Sequence, residues 1–319
     1  MELSYAQNLE DYHLAHVFGG QADGFYIDVG AGHPVADNVS FWFYLQGWRG
    51  IVVEPQQDLA GLYAHVRPRD VAVCGLIGRC AGEADFHVVD RLHGFSTTVE
   101  AHARGAAAFG ADFRTLRLPV TTLAALCEAH APPRVDFLKV DVEGAEADVL
   151  AGADWERWRP RVVVAEAVAP GSMAEAWREW EALLTEYRYR FAFADGLNRF
   201  YVAEEEATLA GRFPRQPTPW EAVRHLYEFG RAPDNPEHPD HGLARGLVDG
   251  FLAALPRLDS ELLASLARRP GDRAATDTDA FRAALGRIAS AYDGGQIMDD
   301  EASGQLVTKG EDDGGAAHP

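Results

Sequence analysis

Four short apolar runs close on a carboxylate in this chain, and that recurrence constrains the fold more than any other feature. Phe25–Val29 carries Asp28 near its end, residues 48–53 run into Glu54, residues 135–140 into Asp141, and residues 161–165 into Glu166. Short runs rich in β-branched and aromatic residues, separated by stretches of helical spacing, predict buried strands of an α/β sheet. In a parallel sheet the carboxyl ends share one rim, and ligands bind in the crevice beyond it. The four acids are therefore expected on one cleft, although an acid at a strand end also commonly begins a loop or caps a helix.

The first run leads into Gly30-Ala31-Gly32-His33-Pro34. Gly30 and Gly32 give this turn the backbone freedom that a ligand-cradling loop needs. Glu54 follows Asp28 by 26 residues, near the roughly 20-residue offset at which an acid meets a nucleotide ribose. A carboxylate suits that place because it accepts both hydroxyl protons of a sugar, whereas a phosphate there would be repelled. Asp141 and Glu143 are two residues apart, so an extended backbone would face them to one side before Gly144 turns the chain.

Charge narrows the partners. A formal net charge of -20 and a pI near 4.9 disfavour nonspecific binding to nucleic acid or to an anionic membrane, since both would be repelled. Lysine occurs only at Lys139 and Lys309, which reads as a codon-composition effect. Cys74, Cys80 and Cys127 have no metal-ligand spacing, and an odd number argues against a full disulfide framework. No stretch approaches the roughly 20 apolar residues of a membrane span, and the N-terminus begins without a basic region. A soluble, cytoplasmic protein is expected.

The remaining elements follow in order. Residues 4–18 predict a helix with Ser4 as N-cap, residues 37–45 a crossover helix, residues 59–66 another, and residues 70–74 a third strand. Residues 84–89 suit an edge or hairpin strand, residues 90–110 a long loop or lid over the cleft, and residues 114–120 an extended piece. A helix over 121–129 is capped by Thr121 or Thr122, and the chain turns helical again at 147–150. Residues 175–187 form a helix whose Trp177 and Trp180 belong to the core. Residues 189–202 make a hairpin turning at Asp195-Gly196. The expected architecture is thus α/β: a Rossmann-like, seven-stranded, mostly parallel sheet with a terminal antiparallel hairpin. A helical C-terminal extension follows, with helices at 220–230, 243–255, 260–268 and 276–292. The expected domains are residues 1–206, residues 207–292, and a Gly- and acid-rich tail over 293–319 whose composition reads as disordered.

Four blocks together resemble the FkbM-type methyltransferases, S-adenosylmethionine-dependent enzymes that mostly methylate hydroxyl oxygens. They are Phe25-Tyr26-Ile27-Asp28-Val29-Gly30-Ala31, Gly47-Trp48-Arg49-Gly50-Ile51-Val52-Val53-Glu54-Pro55, Phe137-Leu138-Lys139-Val140-Asp141-Val142-Glu143-Gly144-Ala145-Glu146 and Asp195-Gly196-Leu197-Asn198-Arg199-Phe200-Tyr201-Val202. The resemblance runs over about residues 4–204, in order and with compatible spacing. It implies that Asp28, Gly30, Ala31 and Gly32 hold the methionine end of the cofactor, and that Glu54, with Pro55 beside it, takes the ribose hydroxyls. Ala72 and Val73 would border the adenine, Asn38 and Ser40 would reach the cofactor carboxylate, and Asp141 would face the sulfonium and the substrate. The implied acceptor is a hydroxyl on a sugar, polyketide or other secondary metabolite. His33-Pro34 departs from the pattern, in which another glycine often continues the turn.

Methyl transfer to a hydroxyl is an in-line displacement that needs alignment and removal of a proton. Asp141, His33, Glu143 and Glu166 are the candidate bases. An alternative task for Asp141 and Glu166 is to hold a divalent metal that polarises the hydroxyl. Two rivals stand beside this function. A nicotinamide-dependent oxidoreductase fits the turn and acid, but His33-Pro34-Val35 leaves little to cradle a pyrophosphate. An inactive methyltransferase-like scaffold would act through its helical tail, whereas the intact Asp28, Glu54 and Asp141 argue against decay. The C-terminal helices are also a place for homo-oligomer contacts.

Overall fold

The computed structural model describes residues 1–89, 93–105, 110–172 and 174–268. The expected helix over 276–292, the tail over 293–319 and parts of the 90–110 loop lie outside the described residues. The chain divides into two compact units, Met1–Leu226 and the residues from Tyr227 onward. In the first unit the elements are β1 (Leu3–Ser4), α1 (Glu10–Val17), β2 (Phe25–Val29), α2 (Phe41–Leu45), β3 (Arg49–Val53), α3 (Gln57–Val66), β4 (Val71–Val73), β5 (Leu76–Ile77), β6 (Gly82–Val89), α4 (Glu100–Gly105), β7 (Phe113–Thr121), α5 (Leu123–His130), β8 (Phe137–Val140), α6 (Glu146–Ala151), β9 (Val162–Glu166), α7 (Arg178–Glu186), β10 (Tyr189–Ala194), β11 (Asn198–Ala203), α8 (Ala207–Ala210) and β12 (Arg224–His225). The second unit contains α9 (His241–Ala254) and α10 (Ser260–Ala267). Among the described residues no helix is long and apolar enough to cross a membrane.

Seven strands form one mixed sheet in the order β10-β11-β9-β8-β2-β3-β4. The neighbours β9/β8, β8/β2, β2/β3 and β3/β4 are parallel, while β11 runs antiparallel to both β9 and β10. The chain leaves β2 outward through β3 and β4, then returns to place β8 on the other flank of β2. That reversal opens a crevice between the carboxyl ends of β2 and β8, where ligands of open α/β sheets bind.

Burial on both faces explains why β2 and β8 are apolar apart from Asp28 and Lys139. Ile27, Val29, Ile51, Val53, Leu138, Val140, Val163 and Ala165 pack on one face with α5, α6 and α7. Tyr26, Val52, Phe137, Val162 and Val164 pack on the other with α1 and α2. A strand buried on both faces has no position for an unpaired polar side chain. Each such large apolar side chain contributes about 1.5–3 kcal/mol on burial. Phe137 sits at the centre of the second face, stacked on Tyr26 with ring centroids 5.5 Å apart.

Several expectations are corrected. The first helix does not start at Ser4: residues 3–4 pair with β12, Leu9 is left-handed at φ 63°, and α1 begins only at Glu10. Ser4 donates instead to Asp11 Oδ1 at 2.6 Å. Helix 37–45 shrinks to Phe41–Leu45 because Asp37 is left-handed (φ 50°). Helix 220–230 is replaced by two short 3-10 turns around β12, where the edge of β1 and the Ala6 carbonyl give the buried His225 backbone and ring their partners. Leu76–Ile77, Gly82–Val89 and Phe113–Thr121 form a separate three-stranded sheet, β5-β7-β6. Thr122, not Thr121, caps α5, accepting from Ala125 N at 3.1 Å. The hairpin turn at Asp195-Gly196 and the burial of Trp180 are as expected; Trp177 is half-buried beneath the Arg199 guanidinium.

Candidate active site

The glycine turn is fixed by the strands on both sides of it. After β2 the Gly30 and Ala31 amides both donate to the Val53 carbonyl, at 3.0 and 3.1 Å. Gly30 is at φ 78°, and a Cβ there would lie 1.7 Å from the Asp141 carbonyl oxygen. Only glycine lets β2 and β8 approach so closely at their ends. The Gly32 amide donates to Glu54 Oε2 at 2.9 Å and the Gln56 amide to Oε1 at 2.8 Å. Burial pushes the Glu54 carboxyl up to about 7, against the pull of these two amides. The Gln56 side chain bonds the same carboxyl, and the acceptor capacity that is left faces further donors. Pro55 and Val73 are half-buried and Ala72 is exposed beside this acid, with Glu54 N donating to Val73 O at 3.0 Å.

Beneath the turn lies a buried polar scaffold. Ser40 Oγ donates to Asp28 Oδ2 at 2.6 Å, and Asn38 Nδ2 donates to the Ala31 carbonyl at 2.8 Å. Arg67 donates to Asn38 Oδ1 at 2.8 Å and to Ser40 Oγ at 2.9 Å, and pairs with Asp70 at 2.6 Å. Burial raises the Asp28 pKa, opposed by Ser40, Arg67 and Lys139. The side chains of Asn38 and Ser40 are thus engaged in holding the turn and Asp28. His33 is exposed, and its Nδ1 accepts from the Val35 and Ala36 amides at 3.2 and 3.1 Å. A neutral ring accepting at Nδ1 carries its proton on Nε2.

A polar pocket opens between the ends of β2 and β8, lined by Asp28, Gly30, Ala31, Lys139 and Asp141, with Gln7, Glu10 and Asp37. Lys139, only 4% exposed, donates to Asp141 Oδ2 at 3.1 Å and to Asn198 Oδ1 at 2.7 Å. Asn198 in turn donates to Glu10 Oε1 at 2.7 Å. Burial works against the Lys139 charge, but the nearby Asp141, Glu10 and Glu166 carboxylates outweigh it and raise its pKa.

Outside the pocket the rim is acidic. Carboxylate oxygens of Asp141, Glu143 and Glu166 all lie within 4.8 Å of one another. Strand alternation does not bring them together: Glu143 and Gly144 form a left-handed turn, at φ 57° and 101°, closed by Glu146 Oε1 accepting from the Val142 and Gly144 amides at 3.1 Å each. Burial, then repulsion from Asp141, pushes Glu143 up to about 9 and Glu166 up to about 11. Both therefore hold their protons at neutral pH, and Glu166 Oε2 is buried without a hydrogen-bond partner among the described residues. A divalent cation here would have to displace two protons and compete with Lys139 for Asp141. The four strand-end acids divide accordingly: Asp28 and Asp141 line the pocket, Glu166 joins Asp141 on the rim, and Glu54 braces the glycine turn.

Several neighbours were not singled out by sequence. Thr97 Oγ1 donates to the Glu143 carbonyl at 2.8 Å, and His102 Nδ1 lies 3.2 Å from the same oxygen. Lys139 had a signal that composition obscured: a charge in the middle of a buried strand needs a counter-ion, whatever sets the lysine content of the chain. Glu10, Asn198 and Arg67 had no comparable local signal.

Among curated proteins the chain has no match. The family model described as the methyltransferase FkbM domain matches residues 28–191, from Asp28 through both glycine-flanked strand ends and the acidic rim into β10. With just over half of its length matched, this chain belongs to the FkbM methyltransferase family.

Proposed function

We propose that this chain is an S-adenosylmethionine-dependent O-methyltransferase with a Rossmann-like sheet, acting on a hydroxyl group of a small molecule. The observation that carries this is the acid-lined pocket between Gly30 and Asp141, with Glu54 on the adjoining strand. S-adenosylmethionine supplies an electrophilic methyl group, and its methionine end carries an ammonium and a sulfonium. Asp28, Asp141, Glu10 and Asp37 suit those cations, and the acceptor capacity that Glu54 keeps suits a ribose hydroxyl. A pyrophosphate would meet the same carboxylates and be repelled, which disfavours a nicotinamide cofactor.

The protein's own contribution is placement. Ser40 and Arg67 fix Asp28, Lys139 fixes Asp141, and alignment of reacting atoms supplies the larger part of such a catalysis. Protonated Glu143 and Glu166 offer hydrogen-bond donors to a polar acceptor, which supports a sugar, polyketide or related hydroxyl compound over an apolar one. The exposed free thiols of Cys74 and Cys80 suit a reducing compartment such as the cytoplasm. Thermal unfolding with S-adenosylhomocysteine, with NAD and without ligand tests the proposal. Stabilisation by S-adenosylhomocysteine alone is expected, about 2.7 kcal/mol at a hundredfold excess over Kd. Selective stabilisation by NAD, or none by either, would contradict it.

A further inference from the structure

Two histidines near the site differ in which ring nitrogen carries the proton. His33 accepts two backbone amides at Nδ1, so its only remaining nitrogen carries a proton. His102 is the reverse. Its Nδ1 faces the Glu143 carbonyl, which can only accept, so Nδ1 must donate and Nε2 holds the lone pair. No hydrogen bond to Nε2 forms among the described residues.

The imidazole is also pressed against the rim. A Cβ on Gly144 would lie 2.5 Å from His102 Cε1 and 2.7 Å from Nδ1, so glycine at φ 101° makes room for this ring. Thr97 holds the same Glu143 carbonyl, which fixes the oxygen that sets the tautomer. The other candidates are committed elsewhere: Asp141 to Lys139, Glu143 and Glu166 to their own protons, and His33 to its turn.

We infer that His102, through Nε2, is the general base that takes the proton from the acceptor hydroxyl; this rests on the methyltransferase function proposed above. The acceptor's O–H bond breaks as its oxygen bonds the methyl carbon. The proton goes to Nε2, the carbon–sulfur bonding pair stays on sulfur, and the imidazolium then discharges to water. Glu143 is the titratable residue that the ring meets, through its carbonyl; Asp141, Glu146 and Lys139 act on the Glu143 carboxyl, and Glu100 and Arg104, on the same helix as His102, pair with each other.

The test uses the full chain with 15N-labelled histidine. His102→Gln, or His102→Asn should that fold better, assigns the ring signals by their loss, and His33→Ala assigns the second ring. The expected result is an Nδ1–H tautomer for His102 and an Nε2–H tautomer for His33. Two bound probes then report on location: S-adenosylhomocysteine, which is neutral at sulfur, and sinefungin, which places an ammonium there. A base beside the transferred methyl should titrate at least ~0.5 pH units lower with sinefungin. An Nε2–H tautomer at His102, or equal midpoints in the two complexes, would overturn the inference. Calorimetry separates the failures, because absence of binding by both probes overturns the methyltransferase function itself, and the inference with it.

Discussion

The glycine turn after β2 and the acidic rim beyond β8 and β9 handle buried charge in opposite ways. At the turn, Asp28 and Glu54 are each met by donors: Ser40 for the first, the Gly32 and Gln56 amides for the second. At the rim, three carboxylates crowd within 4.8 Å with one cation, Lys139, bonded to Asp141, so two of them keep their protons. The turn is a fixed cradle built from backbone, whereas the rim is a set of neutral acids around one ion pair. A binding surface and a reacting surface have these same needs.

The largest effect should come from removing the fit that the turn depends on. Gly30→Ala places a Cβ 1.7 Å from the Asp141 carbonyl at a left-handed φ, and urea unfolding should show a loss of about 4 kcal/mol. A stability equal to wild type would mean that β2 and β8 do not close on each other as described. Lys139→Met attacks the rim instead. It strands Asp141 among other acids, at a cost of about 3–5 kcal/mol; a loss below about 1 kcal/mol would show that the ion pair is dispensable.

The smallest effect has the opposite sign. Glu166 and Glu143 bind protons in the folded chain up to about 11 and 9 but lose them near the ordinary 4.5 when unfolded. The folded state therefore binds more protons, and stability falls as pH rises from about 4.5 toward those values. Glu54, at about 7, stops contributing above neutrality, so between pH 7.5 and 9 the slope belongs mainly to the rim. Each rim glutamate contributes about 1.4 kcal/mol per pH unit there. Glu166→Gln should flatten that slope, gaining about 1.4 kcal/mol on the wild type for each pH unit between about 7.5 and 9; an unchanged slope would deny that Glu166 is protonated.

The same contrast governs what sequence reveals. Gly30, Gly32, Asp28 and Glu54 are legible because their task is set by local backbone and by strand ends, which periodicity finds. Asp141 and Glu166 are legible for the same reason. The meeting of Glu143 with them depends on a left-handed turn at a non-glycine residue, which no local pattern requires. Thr97 and His102 reach Glu143 across more than 40 residues, and a ring tautomer is set only once that partner is in place. Ser4 and residues 220–230 mislead for a related reason: their helical composition yields to a strand pairing between the two ends of the first unit.

Calorimetric titration of S-adenosylhomocysteine into the wild-type chain and Glu54→Ala, side by side, tests the central claim most directly. One site is expected in the wild type, with an affinity about 10- to 100-fold weaker in the variant, the loss of hydrogen bonds to a charged group. Equal affinities, or no binding to the wild type, would contradict it.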